Sequence, residues 1–261
     1  MPMLTLNDGL TLHYRIDGRT DGAPLLFSNS LGTDLGMWDA QVAELSDTFR
    51  IVRYDTRGHG ASGLPSGPTT LDRLGQDLLA LLDHLEIEAT HVCGISLGGL
   101  TAQWLAIHHP TRVKRLILSN TAARIGSPEI WNARIDAVTS AGMEAVVEAA
   151  LKRFFSPAFH GRHPEVVQQF GAILRATDST GYTACCAAVR DADLRPLVAG
   201  IRAPTRVIGS SLDESTPPAQ AEALHAAIPG SELLLLEGVA HLTNIEQPAT
   251  FSNLLRNFLR G

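Results

Sequence analysis

Aromatic side chains make up only 5% of this 261-residue chain, and cysteine occurs three times. Cys93 stands alone and Cys185 and Cys186 are adjacent, which does not make a disulfide framework. A reducing compartment follows as the expectation. Positive charge is also scarce, with 21 Lys and Arg against 27 Asp and Glu and a formal net charge of −6. That balance offers no basic face for nucleic acid or anionic lipid, so any acidic substrate has to be met by a local cation. No apolar run approaches the ~20 residues that span a bilayer. The stretch Met1 to Gly9 lacks the basic start and apolar core of a signal peptide, so the cytoplasm is the expected location and no membrane partner is expected. What remains is 44% hydrophobic and 18% charged, the make-up of a globular chain large enough to bury a full core.

Taken in order, Leu4–Leu6 and Leu10–Ile16 alternate apolar and polar residues around Asp8-Gly9, predicting a β-hairpin. Leu25–Phe27 predicts a short strand running into Ser28-Asn29-Ser30-Leu31-Gly32, followed by a helix over Met37–Leu45 with Trp38, Val42 and Leu45 on one face. Phe49–Tyr54 is the next strand, and it ends in Asp55-Thr56-Arg57-Gly58-His59-Gly60. Leucines at 71, 74, 78, 81, 82 and 85 trace a helical stripe. A strand and helix around Ser96 follow, closed by Pro110, and then a strand at Val113–Leu118.

From about Thr121 to Arg195 the pattern holds only helices, at 128–139, 143–155, 164–176 and 181–189, broken at Gly142, Pro157, Gly161 and Gly181. The alternation then resumes with a strand at Thr205–Gly209, a helix at Pro218–Ala227, a strand at Leu233–Leu236 and a helix at Ala249–Leu259. Strands alternating with helices predict an α/β fold: a mainly parallel sheet with helices on both faces. The core spans 1–120 and 196–261, and 121–195 forms an inserted helical cap.

Gly94-Ile95-Ser96-Leu97-Gly98 carries the chemistry. Glycines on either side of a serine, between a β-branched apolar run and an Ala/Leu-rich one, allow a strand and a helix to approach closely. They hold the serine at the apex of a strained turn, the nucleophile elbow. The same five residues could also form a plain glycine turn. A serine nucleophile needs a base and a carboxylate to orient it, and on α/β-hydrolase folds the chain order is Ser, Asp or Glu, then His. Asp213 lies in the loop after Val207-Ile208-Gly209, at the carboxyl end of a strand where such sheets place reactive groups. Glu214 is its neighbour and competitor, and a helix-capping role for Asp213 is the alternative. His241 follows the last strand. Of ten histidines, His59 is the other contender, but it precedes the serine and sits in a glycine turn that predicts a structural role.

With these residues placed, the chain resembles the α/β-hydrolase superfamily throughout and, more narrowly, the bacterial 3-oxoadipate enol-lactonases. The general resemblance lies in Gly94–Gly99 and in Tyr54–Ser62. The narrower one lies in Phe27-Ser28-Asn29-Ser30-Leu31-Gly32-Thr33 with Trp38-Asp39, and in Ala123-Arg124-Ile125-Gly126 with Trp131. It implies hydrolysis of a small enol-lactone with an acetate arm to 3-oxoadipate, in aromatic-compound degradation, through an acyl-enzyme on Ser96 and with no metal or organic cofactor. The oxyanion donors it implies are the backbone amides of Leu97 and of Leu31, in a loop where related enzymes carry His-Gly and this chain carries Asn29-Ser30. Asn29 and Ser30 either add polar contacts to substrate or only brace the turn. Trp131 and Arg134 lie three apart on the first cap helix and can share a face. Arg134 is the candidate partner of the substrate carboxylate and Trp131 an apolar wall, the alternative being a packed tryptophan beside a solvated arginine. Other readings are a small-ester esterase, a perhydrolase or a C–C hydrolase on the same fold, or a ligand-binding protein that retains the triad.

Overall fold

A computed structural model describes residues 2–260, so the terminal residues of the two expected core segments, Met1 and Gly261, lie outside it. Its strands are β1 (Met3–Thr5), β2 (Thr11–Gly18), β3 (Ala23–Ser28), β4 (Phe49–Tyr54), β5 (Thr90–Ile95), β6 (Val113–Ser119), β7 (Thr205–Ser210) and β8 (Glu232–Leu236). They form one sheet in the order β1-β2-β4-β3-β5-β6-β7-β8. Pairing is parallel from β4 through β8 and antiparallel only at the β1–β2–β4 edge. The expected α/β architecture is thus present as a mostly parallel sheet.

Helix α1 (Asp39–Leu45) packs on β2 and β4, α3 (Leu97–His108) on β3, β5 and β6, and α2 (Leu71–His84) against α3. The leucine stripe of α2 is buried at 71, 74, 78, 81 and 82. The expected face of Trp38, Val42 and Leu45 does turn inward, with Trp38 and Leu45 fully buried, and Gln41 joins it. Gln41 is fully buried because its amide donates to the Asn244 carbonyl at 3.0 Å, while Val42 is half-buried. β5 is buried at every position, as is α3 from Leu97 to Ala106, which places the strand–helix junction at Ser96 in the middle of the molecule.

Between β6 and β7 come five helices and no strand: α4 (Pro128–Ala141), α5 (Glu144–Phe154), α6 (Pro157–Arg162), α7 (Pro164–Ala176) and α8 (Ser179–Asp191). α6 departs from the expectation that Pro157 and Gly161 break structure. Pro157 stands at the first helical position and the Ser156 hydroxyl accepts from the Phe159 amide, the arrangement that starts a helix. After β7 come α9 (Pro218–Ala227), a one-turn α10 (Thr243–Glu246) and α11 (Pro248–Leu259). No helix among the described residues is long and apolar enough to cross a membrane.

Candidate active site

Ser96 caps β5 and precedes α3 with φ 58° and ψ −118°, a left-handed conformation that costs a non-glycine residue energy and turns its side chain out of the strand line. The flanking glycines make this possible. A Cβ on Gly94 would lie 2.2 Å from the Gly98 carbonyl oxygen, and one on Gly98 would lie 2.1 Å from that of Ser28. The elbow is therefore pressed against the end of β3, bringing the Ser28–Thr33 loop beside Ser96.

Asp213 and His241 meet behind it. His241 Nδ1 lies 2.8 Å from Asp213 Oδ2, with both residues buried. A carboxylate only accepts, so Nδ1 carries the hydrogen and Nε2 keeps its lone pair. Asp213 Oδ2 also accepts from Asn120 Nδ2 at 2.9 Å and Thr216 Oγ1 at 2.7 Å, and Oδ1 accepts from the Ser215 and Thr216 amides. Burial alone would raise this carboxyl. The electrostatic pull of the adjacent His241 ring and the donated hydrogen bonds outweigh burial and hold it at about 2. Glu214, the neighbouring acid, is exposed at the cavity rim.

Ser96 and His241 open into one cavity of about 270 Å³ that is also lined by Ser30, Leu31, Trp131 and Arg134. Two peptide planes there are pinned from behind. The Ser30 carbonyl accepts from Thr33 Oγ1 at 2.7 Å, and the Ser96 carbonyl from Thr121 Oγ1 at 2.8 Å. In a trans peptide the following N–H points the opposite way, so the Leu31 and Leu97 amides face away from these threonines. Neither amide donates to a protein acceptor among the described residues.

Asn29 corrects one expectation, because it does not line the cavity. Its Nδ2 donates to the Tyr54 carbonyl at 2.8 Å and its Oδ1 accepts from Trp38 Nε1 at 2.8 Å, which makes it a brace of the turn. Ser30 lines the cavity. Trp131 is buried, donates to the Ile125 carbonyl at 2.7 Å and forms part of the wall, with the Arg134 guanidinium 4.5 Å from its ring centre.

Sequence reasoning missed Arg153, which lines the same cavity from the last turn of α5. Burial pushes its ionisation down, the like charge of Arg134 adds to this, and Tyr182 and Glu214 partly offset both. Neither arginine forms a salt bridge among the described residues. Next to Lys152 at a helix end, Arg153 reads in the sequence as an ordinary C-terminal charge, and only the fold turns it inward. The Phe154 ring beside it runs within 14° of parallel to His241 at 6.2 Å.

Residues 23–248 match the family described as alpha/beta hydrolase fold. The chain is 42% identical over its full length, and over 99% of the relative's, to 3-oxoadipate enol-lactonase 2 of Acinetobacter baylyi. It is 32% identical to a putative carbamate hydrolase of Agrobacterium fabrum, over 95% of this chain and 98% of that one. Among solved structures, the enol-lactonase from Burkholderia xenovorans LB400 superposes with a TM-score of 0.97 at 44% identity, covering 100% of both chains. Matched along its whole length in sequence and in structure, the chain belongs to the α/β-hydrolase family and within it resembles the enol-lactonases.

Proposed function

We propose that this protein opens 3-oxoadipate enol-lactone to 3-oxoadipate, in the degradation of aromatic compounds, using Ser96, His241 and Asp213. The observation that carries the reading is one small cavity holding Ser96, the Asp213-oriented His241 and two arginines that lack carboxylate partners among the described residues. An uncharged ester needs no such cations, whereas a lactone with an acetate arm does. The naming of two curated relatives as 3-oxoadipate enol-lactonases supports it.

In this reading His241 Nε2 takes the Ser96 proton as Oγ attacks the lactone carbonyl. The Leu31 and Leu97 amides hold the oxyanion. Collapse breaks the ring C–O bond and expels an enolate, which is a better leaving group than an alkoxide. The enolate takes the His241 proton and becomes the ketone of the tethered acyl chain. Water deprotonated by His241 then attacks the acyl-enzyme and frees the second carboxylate. Arg134 and Arg153 hold the acetate arm throughout, and Trp131 walls the ring. The substrate is a small molecule, and the expected setting is the cytoplasm.

Spectrophotometric loss of the enol-lactone, compared with hydrolysis of a simple aryl acetate, tests this. Wild type should prefer the lactone, and Ser96→Ala should lose about 10³-fold or more in kcat. Arg134→Ala should lower kcat/KM roughly 10–100-fold on the lactone, the size of one charged hydrogen bond, and change the aryl acetate little. Equal loss on both substrates, or none, would remove the carboxylate pairing. A preference for the aryl acetate would favour a general esterase.

A further inference from the structure

His59 lies in the turn after β4, where the motif Arg57-Gly58-His59-Gly60 takes no part in the steps above. It is buried, and it is not among the residues lining the cavity. Its Nδ1 faces the Arg57 carbonyl at 3.2 Å. A carbonyl can only accept, so Nδ1 carries the hydrogen and Nε2 a lone pair. Into that lone pair the Gly32 amide donates at 3.1 Å. Burial pushes the ring's ionisation below its ordinary value, with the Arg57 carbonyl and Asp55 opposing, which favours the neutral form this bond requires.

The bond has a particular target. Gly32 N–H belongs to the peptide on the C-terminal side of Leu31, and Thr33 pins the peptide on its N-terminal side through the Ser30 carbonyl. Both planes flanking Leu31 are thus held from behind. The abutment itself is stiff, because a Cβ on Gly58 would lie 2.4 Å from the Gly181 Cα of α8, leaving the turn wedged between core and cap.

We propose that His59 is a positioning residue for the oxyanion loop: its Nε2 holds the Leu31–Gly32 peptide so that the Leu31 N–H meets the charge developing on the substrate carbonyl. The assignment rests on the serine-hydrolase reading above, but not on the lactone being the substrate.

The two ring nitrogens can be separated by substitution. His59→Gln places an amide oxygen near the position of Nε2 and keeps an acceptor for Gly32. His59→Asn keeps a donor for Arg57 and withdraws that acceptor. With aryl acetate as substrate, and sites counted by the end-point of a chromogenic phosphonate, His59→Asn should lose about 10–100-fold in kcat per site, somewhat less than deleting an oxyanion donor outright. KM should stay within about twofold, because the contact forms in the transition state. His59→Gln should recover at least about tenfold of the loss. A trifluoromethyl ketone inhibitor should weaken in parallel with kcat, while an uncharged substrate-like amide should not.

Equal impairment of the two variants, a loss confined to KM, or unchanged kcat per site in His59→Asn would each overturn the proposal. Turnover surviving in Ser96→Ala would instead overturn the serine-hydrolase reading, and wild-type inactivity on the lactone alone would overturn only the choice of substrate.

Discussion

At the scale of single residues the site is governed by which atom of each polar group is already occupied. Asp213 Oδ2 accepts from three side chains, so its carboxylate form is held firmly and His241 is left with one tautomer. Asp213→Asn would place an amide where a carboxylate is needed and reverse that tautomer, and kcat should fall by about 10⁴-fold with the structure retained. A pH effect on stability follows as well. The folded value of about 2 lies below the ~3.9 of an unfolded aspartate, so the stabilisation is present above about pH 4 and is lost as the pH falls through about 2. Denaturant titrations at about pH 5 and about pH 3 should show wild type losing about 1 kcal/mol more than Asp213→Asn over that interval. Asp213 and His241 were legible in the sequence because both follow strands, in the required order. Asn29 could not be read this way, since an asparagine beside a serine looks the same whether it faces a ligand or a neighbouring carbonyl.

Elements add the coupling between the helices that follow β6 and the loops at the sheet. Glu246 on α10 accepts from the Ala240 amide at 2.7 Å and the Ser156 amide at 3.1 Å, and its second oxygen accepts from Ser156 Oγ at 2.5 Å. Alongside, the Leu242 amide donates to the Phe154 carbonyl at 3.0 Å and the His241 amide to that of Arg153 at 3.4 Å. The end of α5 is thus laced to the loop that carries His241. Glu246→Gln would remove the charge from these hydrogen bonds and, with its oxygen kept on the two amides, turn its NH₂ toward the Ser156 hydroxyl, which now donates there. We expect a cost of about 1.5–3 kcal/mol, seen in calorimetry as a Tm lower by roughly 3–6 °C. A smaller fall in kcat should accompany it as the His241 loop loosens. β4, α7 and α9 have the ends their sequence predicts, whereas α6, which also opens on a proline, was expected as a break. The one-turn α10 carries no periodicity to detect.

Across the whole molecule, a net charge of −6 surrounds a cavity walled by two cations. The overall field opposes an anionic substrate at long range, and the arginines attract it only at the mouth and within. Salt screens exposed charges over about 10 Å at 0.1 M but reaches a half-buried pair weakly. Raising ionic strength from about 0.05 to about 0.5 M should therefore change kcat/KM for the anionic lactone by less than about threefold, and leave an uncharged aryl acetate unaffected. A steep fall with salt would place the recognising charges on the surface. Stopped-flow or initial-rate measurements at low substrate would decide between these.

The sequence by itself determined the alternation of strands and helices, the elbow at Ser96 and the order in which Asp213 and His241 follow it. Each of these is a local pattern of period, glycine placement and chain position. Tertiary structure alone decided that Arg153 faces Arg134, that Asn29 braces a turn, that Glu246 joins the cap to the His241 loop, and that His59 reaches Gly32 across 27 residues. Those depend on which atoms meet when distant segments pack. A hydrogen bond is fixed to tenths of an ångström and by direction, and residue spacing carries no record of either.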